Sequence, residues 1–252
     1  AVTIGRGRFG ALNLVLLSAA AAGTGLFVLA QARAASPLIR LAMLRDPVLR
    51  TGLATSALVS TVMMSTLVVG PFYLANALGL DTLLVGLVLS AGPIVAALSG
   101  VPAGRLVDRL GARRMTVVGL VGMAAGSFIL SRVPETLGIA GYVAPIVVVT
   151  SGYALFQAAN NTAVMAGVRP DRRGVVSGLL NLSRNLGLVT GASVMGAVFA
   201  FASGTSDFAA APPDAVAAGM RITFGVAAML IVVALAVAAA SRAPATSSVP
   251  PG

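Results

Sequence analysis

The chain has 252 residues, 58% of them apolar and only 10% charged, with a mean hydropathy of +0.98. A soluble domain carries roughly 25% charge, so water is excluded as the solvent for most of this sequence. The 17 basic residues, all arginine, outweigh seven acids to give a net charge of +10, and histidine and cysteine are absent. These absences remove disulfides, thiolate chemistry and the commonest general base and metal ligand, so neither a metal nor a cofactor is expected. A basic excess fits a nucleic-acid binder. Here the arginines cluster between apolar runs, so they read as loops beside membrane spans, and nucleic acid is not an expected partner.

A helix needs ~20 apolar residues to cross ~30 Å of hydrocarbon. Seven runs qualify, at about 11–30, 52–74, 83–103, 115–130, 137–164, 175–201 and 222–240. Strands of a membrane barrel alternate apolar and polar residues; these runs do not, so the expected fold is all-α and polytopic. Gly5-Arg6-Gly7-Arg8 precedes a full-length run rather than the short one of a signal peptide. Pro212-Pro213 breaks the loop before the last run, and 243–252 reads as a disordered tail.

Between the third and fourth runs lies Gly104-Arg105-Leu106-Val107-Asp108-Arg109-Leu110-Gly111-Ala112-Arg113-Arg114. Charge this dense is costly within lipid, so the segment is expected to be a tight loop at a membrane surface. Loops after the first, third and fifth runs and the tail hold twelve arginines; the opposite side holds four. Arginine-rich loops stay in the cytoplasm. The expectation is a cell-membrane protein with its N-terminus outside and its C-terminus inside. An outside N-terminus without a signal implies a preceding span.

Three segments resemble the major facilitator superfamily of transporters, specifically its fourteen-span drug:proton antiporter branch. The first is the 104–114 pattern, G-x-L-x-D-R-x-G-x-R-R. The second is Pro71-Phe72-Tyr73-Leu74 followed by Leu78-Gly79-Leu80. The third is Arg172-Arg173-Gly174-Val175-Val176-Ser177-Gly178, continuing to Ser183-Arg184-Asn185-Leu186-Gly187. Pro37-Leu38-Ile39-Arg40-Leu41 fits the basic linker entering the C-terminal bundle. The resemblance implies that 1–50 hold an extra span and a cytoplasmic linker, and that 51–242 form a six-helix C-terminal bundle. It also implies proton-coupled efflux of small amphipathic compounds by alternating access, with membrane lipid around the chain and an N-terminal half, or a second copy, as partner. A stand-alone homodimeric half-transporter and a non-transporting membrane partner are the alternatives. An enzyme is not expected, because no span carries an acid, histidine or cysteine. The absence of lysine excludes a retinal Schiff base.

The resemblance makes the 104–114 loop a latch built from Gly104, Asp108, Arg109, Gly111, Arg113 and Arg114; the alternative is a plain topology loop. Arg172-Arg173-Gly174 is its mirror partner or an ordinary helix start. Arg184 is the single charge well inside a run, nine residues past Val175, or ~14 Å at 1.5 Å per residue. It is expected to gate, with Asn181 and Asn185 beside it, to contact substrate directly, or to snorkel. In the family fold the first and fourth bundle helices line the cavity. Tyr153, Gln157 and Asn161 recur every fourth residue and share one face. Met63 and Met64 suit varied apolar ligands or plain packing. Tyr73 is a cavity candidate or an interfacial anchor. The glycine pairs Gly100/Gly104, Gly122/Gly126 and Gly187/Gly191 are expected at helix contacts.

Overall fold

The computed structural model describes residues 45–240, apart from 206, 207, 209 and 210, together with Ser18, Ala22, Gly23, Leu26 and Met43. The expected first span, the linker at 37–41, Asp207 and the tail with Arg242 lie outside the described residues, four isolated positions of that span excepted. Six helices follow: α1 (Pro47–Phe72), α2 (Thr82–Leu110), α3 (Ala112–Leu130), α4 (Gly138–Met165), α5 (Arg173–Ser203) and α6 (Pro213–Ala240). All six are long and apolar enough to cross a membrane. Asp46 and Asp81 cap α1 and α2, accepting from Val48 N and Leu84 N at 2.8 Å each.

The bundle is not built by neighbours in sequence alone. The main packing partners are α3 with α4, α1 with α5, α2 with α4, α3 with α6 and α1 with α6; α2 and α3, though consecutive, scarcely touch. Small residues set the closest approaches. A Cβ on Gly119 would lie 2.7 Å from both Gly152 O and Phe156 N, and one on Gly191 would lie 2.6 Å from Thr61 O. Hydroxyls and amides then bond across helices, Thr61 Oγ1 donating to Gly187 O at 3.1 Å and Ser183 Oγ to Leu53 O at 2.6 Å. The core runs through Val62, Val69, Leu120, Phe156, Phe199 and Phe224. The outer flanks of α2 and α5 keep Leu83, Leu98, Val189 and Phe201 exposed, as apolar surroundings allow.

Three expectations need correction. The charged segment 104–114 is not a loop: α2 continues helical to Leu110 and α3 starts at Ala112, leaving Gly111 alone between them. Gly111 sits at φ 87°, ψ 140°, a region that only glycine occupies without strain. The last helix starts at Pro213, not near 222, so Arg221 lies in α6 rather than in a loop. It pairs with Glu135 at 3.5 Å, in the turn between α3 and α4. The glycine pairs divide: Gly187, Gly191 and Gly126 are at close contacts, whereas nothing lies within 4 Å of a Cβ on Gly100 or Gly104.

Nine of the twelve described arginines gather at one end of the bundle, where α1, α3 and α5 begin and α2 and α4 finish. Arg132 lies at the other end, near the Arg221–Glu135 pair.

Candidate functional site

Helix α4 carries the polar face of the site. Tyr153, Gln157 and Asn161 fall one turn apart on it, and Gln157 Nε2 donates to Tyr153 Oη at 3.0 Å. Opposite them α5 presents Ser177, Asn181 and Arg184, and α1 presents Ser56; together they enclose a cleft of about 270 Å³. Arg184 sits eleven residues into α5, ~16 Å along it. Its Nη2 donates to Asn181 Oδ1 at 2.9 Å, and no carboxylate pairs with it among the described residues. Asn185, the other expected neighbour, makes no such bond.

Beyond Tyr153 the surface turns apolar. A second cavity of about 280 Å³ is lined by Met63 and Leu67 of α1, Leu89 and Pro93 of α2, Ile146 of α4 and Leu188 of α5. Tyr153 belongs to this cavity and reaches the polar cleft through its hydroxyl. The structure therefore brings Met63, Tyr153, Gln157, Asn161 and Arg184 onto one face. It adds α2, Ser56, Ser177 and Leu188, which sequence reasoning missed. The hydroxyls left no distinguishing signal, but Gly92-Pro93 in mid-helix marks where α2 opens toward the cavity.

Two cavity candidates lie elsewhere. Met64 packs at the Gly191 crossing of α1 and α5. Tyr73 is 2% exposed, with its ring stacked on Tyr142 at 5.9 Å, so it is neither a cavity residue nor an interfacial anchor. It opens a π-helical turn, Tyr73–Ala77, closed by Leu78 N to Tyr73 O at 3.1 Å. Asn160, next to the polar face, points the other way: it is 5% exposed and donates to Gly52 O at 3.2 Å, tying α4 to α1.

At the arginine-rich end, Asp108, Arg105 and Arg109 are exposed on the last turns of α2. Asp108 has no hydrogen bond or ion pair within the described residues, despite four arginines nearby in sequence. Arg113 lines a separate cleft of about 350 Å³ with Thr51, Thr116 and Asn160, and Arg114 is exposed beside it. Asp171 holds Arg169 at 3.3 Å and Arg172 at 3.9 Å in the turn entering α5. Every described acid lies at a helix end or between helices, so among the described residues no carboxylate faces the site at mid-helix. Among the described residues no cluster has the makeup of a metal site.

Known proteins resemble this chain in sequence. The uncharacterized transporter YebQ of Escherichia coli is 32% identical over 159 residues, covering 63% of this chain and 35% of that protein. The multidrug resistance protein Stp of Mycobacterium tuberculosis is 29% identical over 196 residues, 75% of this chain and 35% of its own length. The multidrug efflux pump LfrA of Mycolicibacterium smegmatis is 26% identical over 191 residues, 73% of this chain and 38% of that pump. The chain thus spans little more than a third of the length of these relatives. Residues 9–192 match the family model, and with six helices of membrane-spanning length behind that match, the chain belongs to the Major Facilitator Superfamily.

Proposed function

We propose that the chain is one bundle of a secondary transporter that exports small amphipathic compounds, with protons as the coupling ion. The cleft between α1, α2, α4 and α5, polar at Gln157, Asn161 and Arg184 and apolar at Met63 and Leu89, carries this reading. The multidrug names of Stp and LfrA support it. The exposed flanks of α2 and α5 beside that cleft would receive a second bundle, and rocking of the two about the site would give alternating access. With no mid-helix acid among the described residues, the titrating group would belong to the second bundle. Asp108, unpaired in this bundle, would latch onto a helix end of that partner in one access state.

The arginine-rich end would face the cytoplasm. Because the chain has no cysteine, single-cysteine labelling is clean. Asp81→Cys should react with an impermeant maleimide from outside, and Ala112→Cys should not; the reverse pattern overturns the orientation. For transport, cells lacking their own pumps and expressing the assembled transporter should accumulate less amphipathic dye, and a protonophore should restore accumulation. Equal accumulation with and without the protein would refute export.

A further inference from the structure

We infer that the cleft at Arg184 takes the anionic head of an amphipathic substrate, a carboxylate, while the adjoining apolar cavity takes its tail. This rests on the transport reading and narrows its substrate class. The cleft contains one charge, and it is positive. A guanidinium has five N–H donors in a planar fork suited to a carboxylate. One reaches Asn181 Oδ1 at 2.9 Å, a neutral acceptor on the same helix. The remaining donors have no carboxylate partner among the described residues, whose acids sit at helix ends or between helices. A charge this far along a membrane-length helix is costly without a counter-charge.

The surrounding groups favour an anion as that counter-charge. Gln157 and Asn161 supply amide N–H groups and Ser56 and Ser177 supply O–H groups, so the lone pairs of a carboxylate that Arg184 leaves free can also be met. A lipophilic cation would find the guanidinium repelling it and no carboxylate on this bundle to hold it. Past Gln157 the polarity falls away toward the second cavity: Gln157 bonds to Tyr153, and Tyr153 borders the cavity of Met63, Leu89, Ile146 and Leu188. An amphiphile whose head meets Arg184 therefore lays its tail along α1 and α2. The two spaces, about 270 and 280 Å³, together fall within the ~300–1,000 Å³ usual for small-molecule sites.

The test is binding of three dansyl probes to the full chain in phosphatidylcholine nanodiscs: 11-(dansylamino)undecanoic acid, its methyl ester and dansylcadaverine. The acid should bind at least about tenfold more tightly than the ester or the amine. Arg184→Gln should abolish that preference; Arg184→Lys, which keeps the charge without the fork, should retain part of it. Matching circular dichroism spectra and melting curves would show that the variants are folded. Equal binding of the three probes, or an acid preference surviving Arg184→Gln, overturns the assignment. So does displacement of the acid by added phosphatidylglycerol, which would make the occupant a lipid headgroup. Efflux separates this from failure of the transport reading. Export of cationic dye that the acid does not inhibit would leave transport standing and remove the anion site. Acid binding without export would do the opposite.

Discussion

Two glycines on α3 give opposite expectations for the same substitution. Gly119 and Gly122 both face Gly152 of α4, one turn apart. A Cβ on Gly119 would lie 2.7 Å from Gly152 O and Phe156 N, which are backbone atoms of a packed helix and cannot swing aside. Ordinary contact begins near 3.4 Å, so α3 and α4 must part by several tenths of an ångström along the most extensive contact in the bundle. Such overpacking costs about 1–3 kcal/mol. A Cβ on Gly122 meets only Gly152 Cα, at 3.8 Å. Both substitutions gain about 0.8–1 kcal/mol in helix propensity. Gly122→Ala should therefore be neutral or stabilising, and Gly119→Ala less stable than it by about 1–3 kcal/mol. Unfolding in sodium dodecyl sulfate, followed by far-ultraviolet circular dichroism from dodecyl maltoside micelles, measures the difference. Equal stability of the two variants would refute the claim that the backbone approach at Gly119 limits this interface.

Gly111→Ala, at φ 87°, should lower stability by about 1–3 kcal/mol in the same assay. Asp108→Asn should leave insertion unchanged, since arginines set topology, yet lower the initial efflux rate of the assembled transporter. Unchanged efflux at matched membrane levels would leave the segment as a topology signal only. A double-mutant cycle with Glu135→Gln and Arg221→Gln should give a coupling below about 1 kcal/mol, because both side chains remain part-exposed.

The apolar runs located the six helices well, and the errors have physical causes. Charge density at 104–114 pointed to a loop, but Ala103 and Val107, four apart, are buried against Met115, Leu155 and Ala159. Helical periodicity thus outlasts the hydrocarbon, with Arg105, Asp108 and Arg109 on the wet face. The same holds at the start of α6: Val216, Ala217 and Met220 are buried while Asp214 and Arg221 look outward. Tyr73 was misjudged because its ring is buried by stacking on Tyr142 of α4, a contact between distant helices that no local residue pattern announces. In the site, the four-residue repeat Tyr153, Gln157, Asn161 was legible because it stands out on an apolar helix. The share of α2 was not, since the cavity-facing stretch of that helix is largely apolar all round and only Gly92-Pro93 interrupts it.

The way the helices choose partners bears on how the chain is made. Thr61 of α1 bonds to Gly187 of α5, 126 residues later. At about 5–20 residues per second, α1 waits about 6–25 s for its main partner to be synthesised. Three of its hydroxyls are already provided for in that interval: Thr61 also donates to Ala57 O at 3.0 Å, Thr55 to Thr51 O at 2.8 Å and Thr66 to Met63 O at 2.8 Å, all within the same helix. Helix α1 can thus enter the bilayer as a solitary rod without leaving these groups bare. Closure of the bundle is then timed by the arrival of α5 and α6, so truncation before α5 should leave α1 inserted without its main partner, beside the already paired α2, α3 and α4, for membrane proteases to clear.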